Sequence, residues 1–130
     1  MRDLTKYRLE TAQERLEVSN EMLESGRFKI SITNSYYAIF NAVRALLSER
    51  KVDFKKHSAV ISYFRREYIK TGIFDAKLSD YIGDAFDFRT SCDYADFFIA
   101  SREQAEIQYQ HAVEFYEAVR NYLEDTNDNS

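Results

Sequence analysis

The chain has 130 residues, which is enough for one domain built around a single hydrophobic core. Its formal net charge of -4 argues against a protein that coats nucleic acid through overall charge, but leaves room for a small local phosphate site. The single cysteine, Cys92, excludes an internal disulfide and a cysteine zinc site. No proline and only three glycines are present, which favours long helices over a sheet with many turns.

The sequence shows no pattern typical of secretion or of membrane insertion. The first residues, Met-Arg-Asp-Leu-Thr-Lys, lack the apolar segment of a signal peptide. No apolar run approaches the roughly 18 residues that a membrane-spanning helix needs. From the sequence we therefore expect a soluble, cytoplasmic protein with no membrane association.

The first half of the chain predicts two long helices, over residues 3–25 and 28–49. The first has an apolar stripe at helical spacing and a row of glutamates on the opposite face, which we interpret as solvated. Gly26 fits the position just past its end. The second is apolar on nearly all sides, which is typical of a central helix. Asn34 lies inside it, and its amide must find a partner in the backbone, in another helix or in a ligand.

Two further helices follow, over residues 56–71 and 75–92. His57 lies in the first turn of the former, where a histidine is more often a capping or packing residue than a catalyst. Gly83 lies in the middle of the latter and costs about 1 kcal/mol relative to alanine. A glycine at such a position often permits close approach of another backbone.

The last helix begins after Ser101, which forms a capping-box pattern with Gln104. It carries the most regular apolar stripe of the chain. We predict an all-α fold: an antiparallel four-helix up-and-down bundle with an additional short helix. The bundle forms one domain over residues 1–124, and residues 125–130 form a polar tail that frays.

Arg89 ends an apolar stripe of the fourth helix. The stripe consists of three residues at helical spacing: Leu78, Ile82 and Ala85. A helix would bury this cation or press it into a seam, and an unpaired buried charge is costly. Asp93, four residues on, is one candidate partner, and Tyr94 follows directly. Two interpretations remain open: an ion pair that closes the helix, or a clamp for a phosphate.

The chain lacks the residues that metal sites and glycine-rich phosphate-binding loops require. A di-iron site needs Glu-x-x-His pairs on two helices, whereas the chain offers only His111 and Glu114 in the reverse order. The ligands of a hydrolytic zinc site and a glycine-rich phosphate loop are missing too. We therefore predict no metal and no cofactor.

Three stretches resemble the HEPN-domain proteins, and in particular a small stand-alone HEPN group. Residues 34–40 read Asn-Ser-Tyr-Tyr-Ala-Ile-Phe, and residues 56–58 read Lys-His-Ser at the start of a helix. Residues 89–94 are similar to the Arg-x-x-x-Asp-Tyr version of the HEPN signature. The order and spacing agree over nearly the whole chain, from about residue 4 to residue 123.

The resemblance implies an all-helical bundle that pairs as a homodimer, with the arginine motifs of two subunits facing each other across a cleft. Many HEPN members are metal-independent ribonuclease toxins, and many are encoded beside a small nucleotidyltransferase that acts as antitoxin. The ribonuclease members carry a histidine four to six residues after the arginine. In this chain Tyr94 takes that position, and an unperturbed tyrosine, with a pKa of about 10, is a poor base at neutral pH.

Two functions follow from the resemblance. The first, which we favour, is a homodimeric module that binds RNA or a nucleotide and pairs with a nucleotidyltransferase antitoxin. Its predicted substrate-binding residues are Arg89, Asn34 and Tyr37. The alternative is a metal-independent ribonuclease toxin whose catalytic residues are Arg89 with Asp93 or Tyr94 in place of histidine.

Overall fold

The computed structural model describes residues 1–128, which contain helices and no strand. Four helices are long and one is short, and we number them in chain order: α1 Asp3–Glu24, α2 Phe28–Glu49, α3 His57–Phe64, α4 Lys77–Tyr94 and α5 Arg102–Asp128. The predicted all-α bundle with an additional short helix is confirmed. Over these residues no helix combines the length and the apolar character needed to cross a membrane.

Helix α2 lies at the centre of the bundle and packs against α1, α4 and α5. Most of its central side chains are buried, and Ala38, Ile39, Ala42 and Val43 have no exposed surface, as the apolar sequence predicts. It forms an antiparallel hairpin with α1: Thr5 donates to Glu49 at 2.7 Å at one end, and the Ser19 and Ser35 hydroxyls meet at 2.7 Å near the other. Gly26 makes the turn with a φ of +81°, a conformation that glycine adopts without strain.

Helix α3 is shorter than the predicted 56–71. It ends at Phe64 and continues as one π-helical turn over Arg65–Ile69. The aromatic side chains of Phe64 and Tyr68 are buried on both sides of this change. The π turn adds a residue to the helical turn while keeping both rings in the core.

Gly83 in α4 faces a side chain of the same chain and not another backbone. A Cβ at this position would lie 2.8 Å from Nη2 of Arg65, which is the end of a flexible side chain. The guanidinium is held there by bonds to the Ser79 hydroxyl at 3.0 Å and carbonyl at 3.2 Å. The glycine therefore makes room for an arginine side chain.

Helix α5 begins with the predicted capping box. The Gln104 amide donates to the Ser101 hydroxyl at 3.1 Å, and the Ser101 amide donates to the Gln104 side chain at 3.0 Å. The helix continues to Asp128, beyond the predicted end at Glu124, and the Thr126 hydroxyl donates to a carbonyl one turn earlier. Residues 125–128 therefore extend the helix instead of forming a separate tail, while 129 and 130 lie outside the described residues. That this end frays stays a prediction.

The connector between α4 and α5 is apolar and only partly packed. Phe98 and Ala100 pack against a small cluster that includes Leu23 and Ile32. Phe97 is 97% exposed and Ile99 is 85% exposed, so the connector presents two large apolar side chains to its surroundings.

Candidate functional site

Arg89 reaches from α4 toward α2. Its Nη2 donates to the hydroxyl of Tyr37 at 3.0 Å. Its Nε lies 2.9 Å from a carboxylate oxygen of Asp93, a contact that is an ion pair although its angles do not make a hydrogen bond. The Arg89 side chain is 18% exposed, so solvent and ligands reach only part of it. The predicted Arg89–Asp93 pair is present, and Tyr37 is a second partner from another helix.

Two tyrosine rings line the guanidinium. The Arg89 Cζ atom lies 5.6 Å from the ring centres of both Tyr36 and Tyr37. The Arg15 Cζ atom from α1 lies 5.4 Å from the centre of the Tyr37 ring. Such distances allow cation–π attraction. Tyr37 therefore holds two arginines from different helices next to each other.

Asn34 has partners for both ends of its amide. Its oxygen accepts from Arg15 Nη1 at 3.1 Å, and its nitrogen donates to the Ile30 carbonyl at 2.9 Å. Only 6% of Asn34 is exposed. These contacts favour a structural role in which Asn34 positions Arg15 beside Tyr37, and direct substrate binding by Asn34 stays a prediction.

Tyr94 lies apart from this cluster. It is the last residue of α4 and is 73% exposed. Its side chain makes no hydrogen bond or ring contact within residues 1–128. Within one chain the structure thus brings Arg89, Asp93 and Tyr37 together and leaves Tyr94 outside, and the catalytic roles of Asp93 and Tyr94 stay predictions.

His57, at the first residue of α3, adjoins the same tyrosines. Its ring stacks on Phe40 with centres 4.0 Å apart, a packing contact of the kind expected for a histidine at this position. The structure adds a partner that the sequence did not reveal: His57 Nδ1 lies 2.8 Å from the hydroxyl of Tyr36. The two residues are 21 positions apart, so no helical spacing links them, and the only signal was that both lie in stretches that carry the family resemblance.

Burial controls protonation of this pair. Burial raises the pKa of Tyr36 well above its ordinary value, so its hydroxyl keeps its proton and is the natural donor to His57. Burial, with the nearby charges of Arg89 and Arg44, lowers the pKa of His57. We assign a neutral imidazole at pH 7 that accepts at Nδ1 and carries its proton on Nε2.

The described residues contain no group of three or more histidine, cysteine, aspartate or glutamate side chains that could hold a metal ion. A guanidinium flanked by phenol rings suits a phosphate with an adjoining base or sugar.

The chain is thus a small all-α domain with an arginine–tyrosine cluster between two of its helices. Among such domains, the HEPN domain model matches residues 5–122, and the chain belongs to the HEPN domain family. The resemblance seen in the sequence is confirmed.

Relatives within the family carry two kinds of name. The chain is 33% identical to "Putative toxin MJ0142" of Methanocaldococcus jannaschii, over 94% of this chain and 82% of that protein. It is 30% identical to a "UPF0332 protein" of Thermotoga maritima, over 94% of this chain and 92% of that protein. A second Methanocaldococcus jannaschii protein, "Putative toxin MJ0605", is 28% identical over 66% of this chain and 64% of that protein.

Proposed function

We propose that this chain is the HEPN partner of a small nucleotidyltransferase in a toxin–antitoxin type pair, and that its Arg89 cluster binds RNA or a nucleotide through phosphate. The observation that carries the proposal is the state of the Arg89 guanidinium. Tyr37 and Asp93 hold Nη2 and Nε, whereas Nη1 makes no hydrogen bond in the described part of the chain. A guanidinium that is fixed in orientation and has an available N–H edge is a preorganised hydrogen-bond donor for a phosphate group.

A ribonuclease toxin is the second candidate, and the toxin names of two relatives favour it. The arrangement around Arg89 favours binding over cleavage. Asp93 is already paired with Arg89, and Tyr94 lies outside the cluster, which disfavours both as the base that takes the proton of a ribose 2′-hydroxyl in the same chain.

The proposal includes a homodimer whose seam comprises α4 and parts of α1. It is supported by the apolar side chains that one chain leaves exposed near this seam, above all Phe97 and Ile99. HEPN domains commonly form dimers. Light scattering at micromolar concentration is expected to give twice the chain mass, and a Phe97→Asp, Ile99→Asp variant is expected to give the monomer. A monomeric native chain would contradict this part of the proposal. A cytoplasmic location stays a prediction.

One experiment separates the two functions. The pure chain is incubated with a mixed RNA pool in the presence of EDTA, beside an Arg89→Ala variant, and bound RNA and cleavage products are measured. Retention of intact RNA that requires Arg89 supports the binding module. Cleavage that requires Arg89 supports the ribonuclease, and RNA that is neither bound nor cut contradicts both. Binding to a nucleotidyltransferase encoded beside this chain tests the pairing.

A further inference from the structure

We propose that the pocket between α2 and the start of α3 is a second phosphate subsite, so that the ligand is single-stranded RNA of at least two nucleotides. Its basic residues are Arg44, Lys55 and His57. This inference rests on the proposed function of the Arg89 cluster and specifies its ligand.

The pocket has a volume of about 270 Å³ and is lined by two phenylalanines, one acid and three basic residues: Phe40, Phe54, Asp53, Arg44, Lys55 and His57. Sites that enclose a whole drug-sized ligand measure about 300–1,000 Å³. The pocket is therefore of a size for one phosphate group with part of its nucleotide. Phe54 is 37% exposed and offers a ring against which a base can stack.

The acid in this pocket is outnumbered by cations. Asp53 lies 3.7 Å from Arg44 and 3.6 Å from Arg8, which is itself 8% exposed. One carboxylate is thus shared by two arginines, and Lys55 is exposed without an ion pair in the described part of the chain. The local charge is positive although the whole chain carries a net charge of -4.

His57 completes the subsite as a hydrogen-bond donor. The Tyr36 hydroxyl occupies its Nδ1, which leaves Nε2 as the nitrogen available to a ligand. A neutral imidazole with a proton on Nε2 donates to a phosphate oxygen without having to carry a charge. His57 is therefore a binding residue in this proposal, in line with the expectation that it is not a catalyst.

The two subsites are adjacent, and Arg44 lies farther from Tyr37 along α2 than one phosphate group extends. The His57 ring centre is 6.3 Å from that of Tyr37, whose hydroxyl accepts from Arg89. On α2, Tyr37 and Arg44 are two helical turns apart on the same face, which is about 10 Å at 1.5 Å per residue. Successive phosphates of one strand can occupy both places, whereas a mononucleotide fills only one.

The test compares ligands of increasing length. A nucleoside monophosphate and a tetranucleotide of the same base, without secondary structure, are titrated into the native chain and into Lys55→Ala, whose side chain is exposed. Lys70→Ala, another exposed lysine, is the matched control. Each phosphate contact contributes about 0.7 to the slope of log affinity against log salt for single strands. We expect Lys55→Ala to lower that slope by about 0.7 for the tetranucleotide and to leave monophosphate binding within about twofold.

Three outcomes would overturn the inference. Lys55→Ala could match Lys70→Ala for both ligands, or it could weaken the monophosphate as much as the tetranucleotide. An acidic peptide could also bind with the same Lys55 dependence while RNA does not bind. If Arg89→Ala still abolishes binding of the monophosphate and of the tetranucleotide in the first two cases, the proposed function survives and only the second subsite fails. If Arg89→Ala changes neither, the proposed function fails as well.

Discussion

The guanidinium of Arg89 on α4 donates to the hydroxyl of Tyr37 on α2 at 3.0 Å, across 52 residues of sequence. This bond joins two of the stretches in which the chain resembles HEPN proteins. Together with Asp93 it fixes the orientation of a cation that is 18% exposed. The arginine is thus both compensated within the fold and partly accessible to a ligand.

Tyr37→Phe removes this acceptor and keeps the ring. We expect the free energy of unfolding to fall by about 0.5–1.5 kcal/mol, since one part-buried hydrogen bond is lost. RNA affinity should also fall, because the guanidinium is no longer held in one orientation. Chemical denaturation and an RNA titration measure the two effects.

Tyr81→Phe is the matched control for that variant. Its hydroxyl donates to Glu114 at 2.9 Å, between α4 and α5 and outside the Arg89 cluster. It should lower stability at most by a similar amount and leave RNA affinity unchanged. Equal RNA affinities for the two variants would show that Tyr37 has no part in binding.

Local patterns predicted much of the fold. The apolar positions of α2 and its glycine-marked start were sufficient to place Phe28–Glu49, and the capping box placed the start of α5. The π turn at Arg65–Ile69 was missed, because the four-residue spacing of Phe64 and Tyr68 fits an ordinary α-helix and nothing else in the sequence marks a wider turn.

The site was predictable only where its residues are neighbours in sequence. Asp93 follows Arg89 at helical spacing, so their pair could be read directly. The contacts of Arg89 with Tyr37 and of Tyr36 with His57 depend on how α2, α3 and α4 pack. No spacing rule encodes such contacts, so periodicity could not reveal that His57 belongs to the same cluster.

Gly83→Ala tests the contact of α4 with Arg65. Alanine should add about 1 kcal/mol of helix stability. Part of this is lost when the new Cβ displaces Arg65 Nη2, 2.8 Å away, from its bonds to Ser79. In an Arg65→Ala background, where nothing is displaced, the full gain of about 1 kcal/mol is expected. A double-mutant cycle by chemical denaturation measures both, and a loss that persists in the second background would indicate a clash with backbone.

The lowered pKa of His57 predicts a pH dependence of stability. In the folded chain burial and the charges of Arg89 and Arg44 favour its neutral form, so the unfolded chain binds more protons below about pH 6.5. The contribution of His57 is therefore present above about pH 6.5 and is lost as the pH falls through the folded pKa. When the pH is lowered from 7.5 to about 5, the unfolding free energy of the native chain should therefore fall by more than that of His57→Gln. A difference that is constant across this range would contradict the assignment.

The most direct test of the Arg89 site pairs a melting curve with an RNA titration on Arg89→Ala and Arg89→Lys. Asp93 is 35% exposed, so water can solvate it, and we expect Arg89→Ala to cost about 1–2 kcal/mol of stability, little more than Tyr37→Phe. RNA binding should be lost in Arg89→Ala and only partly restored in Arg89→Lys, because an ammonium cannot make the two-pronged contact of a guanidinium. A large drop in melting temperature with unchanged RNA binding per folded molecule would show instead that Arg89 is structural and would contradict the proposed function.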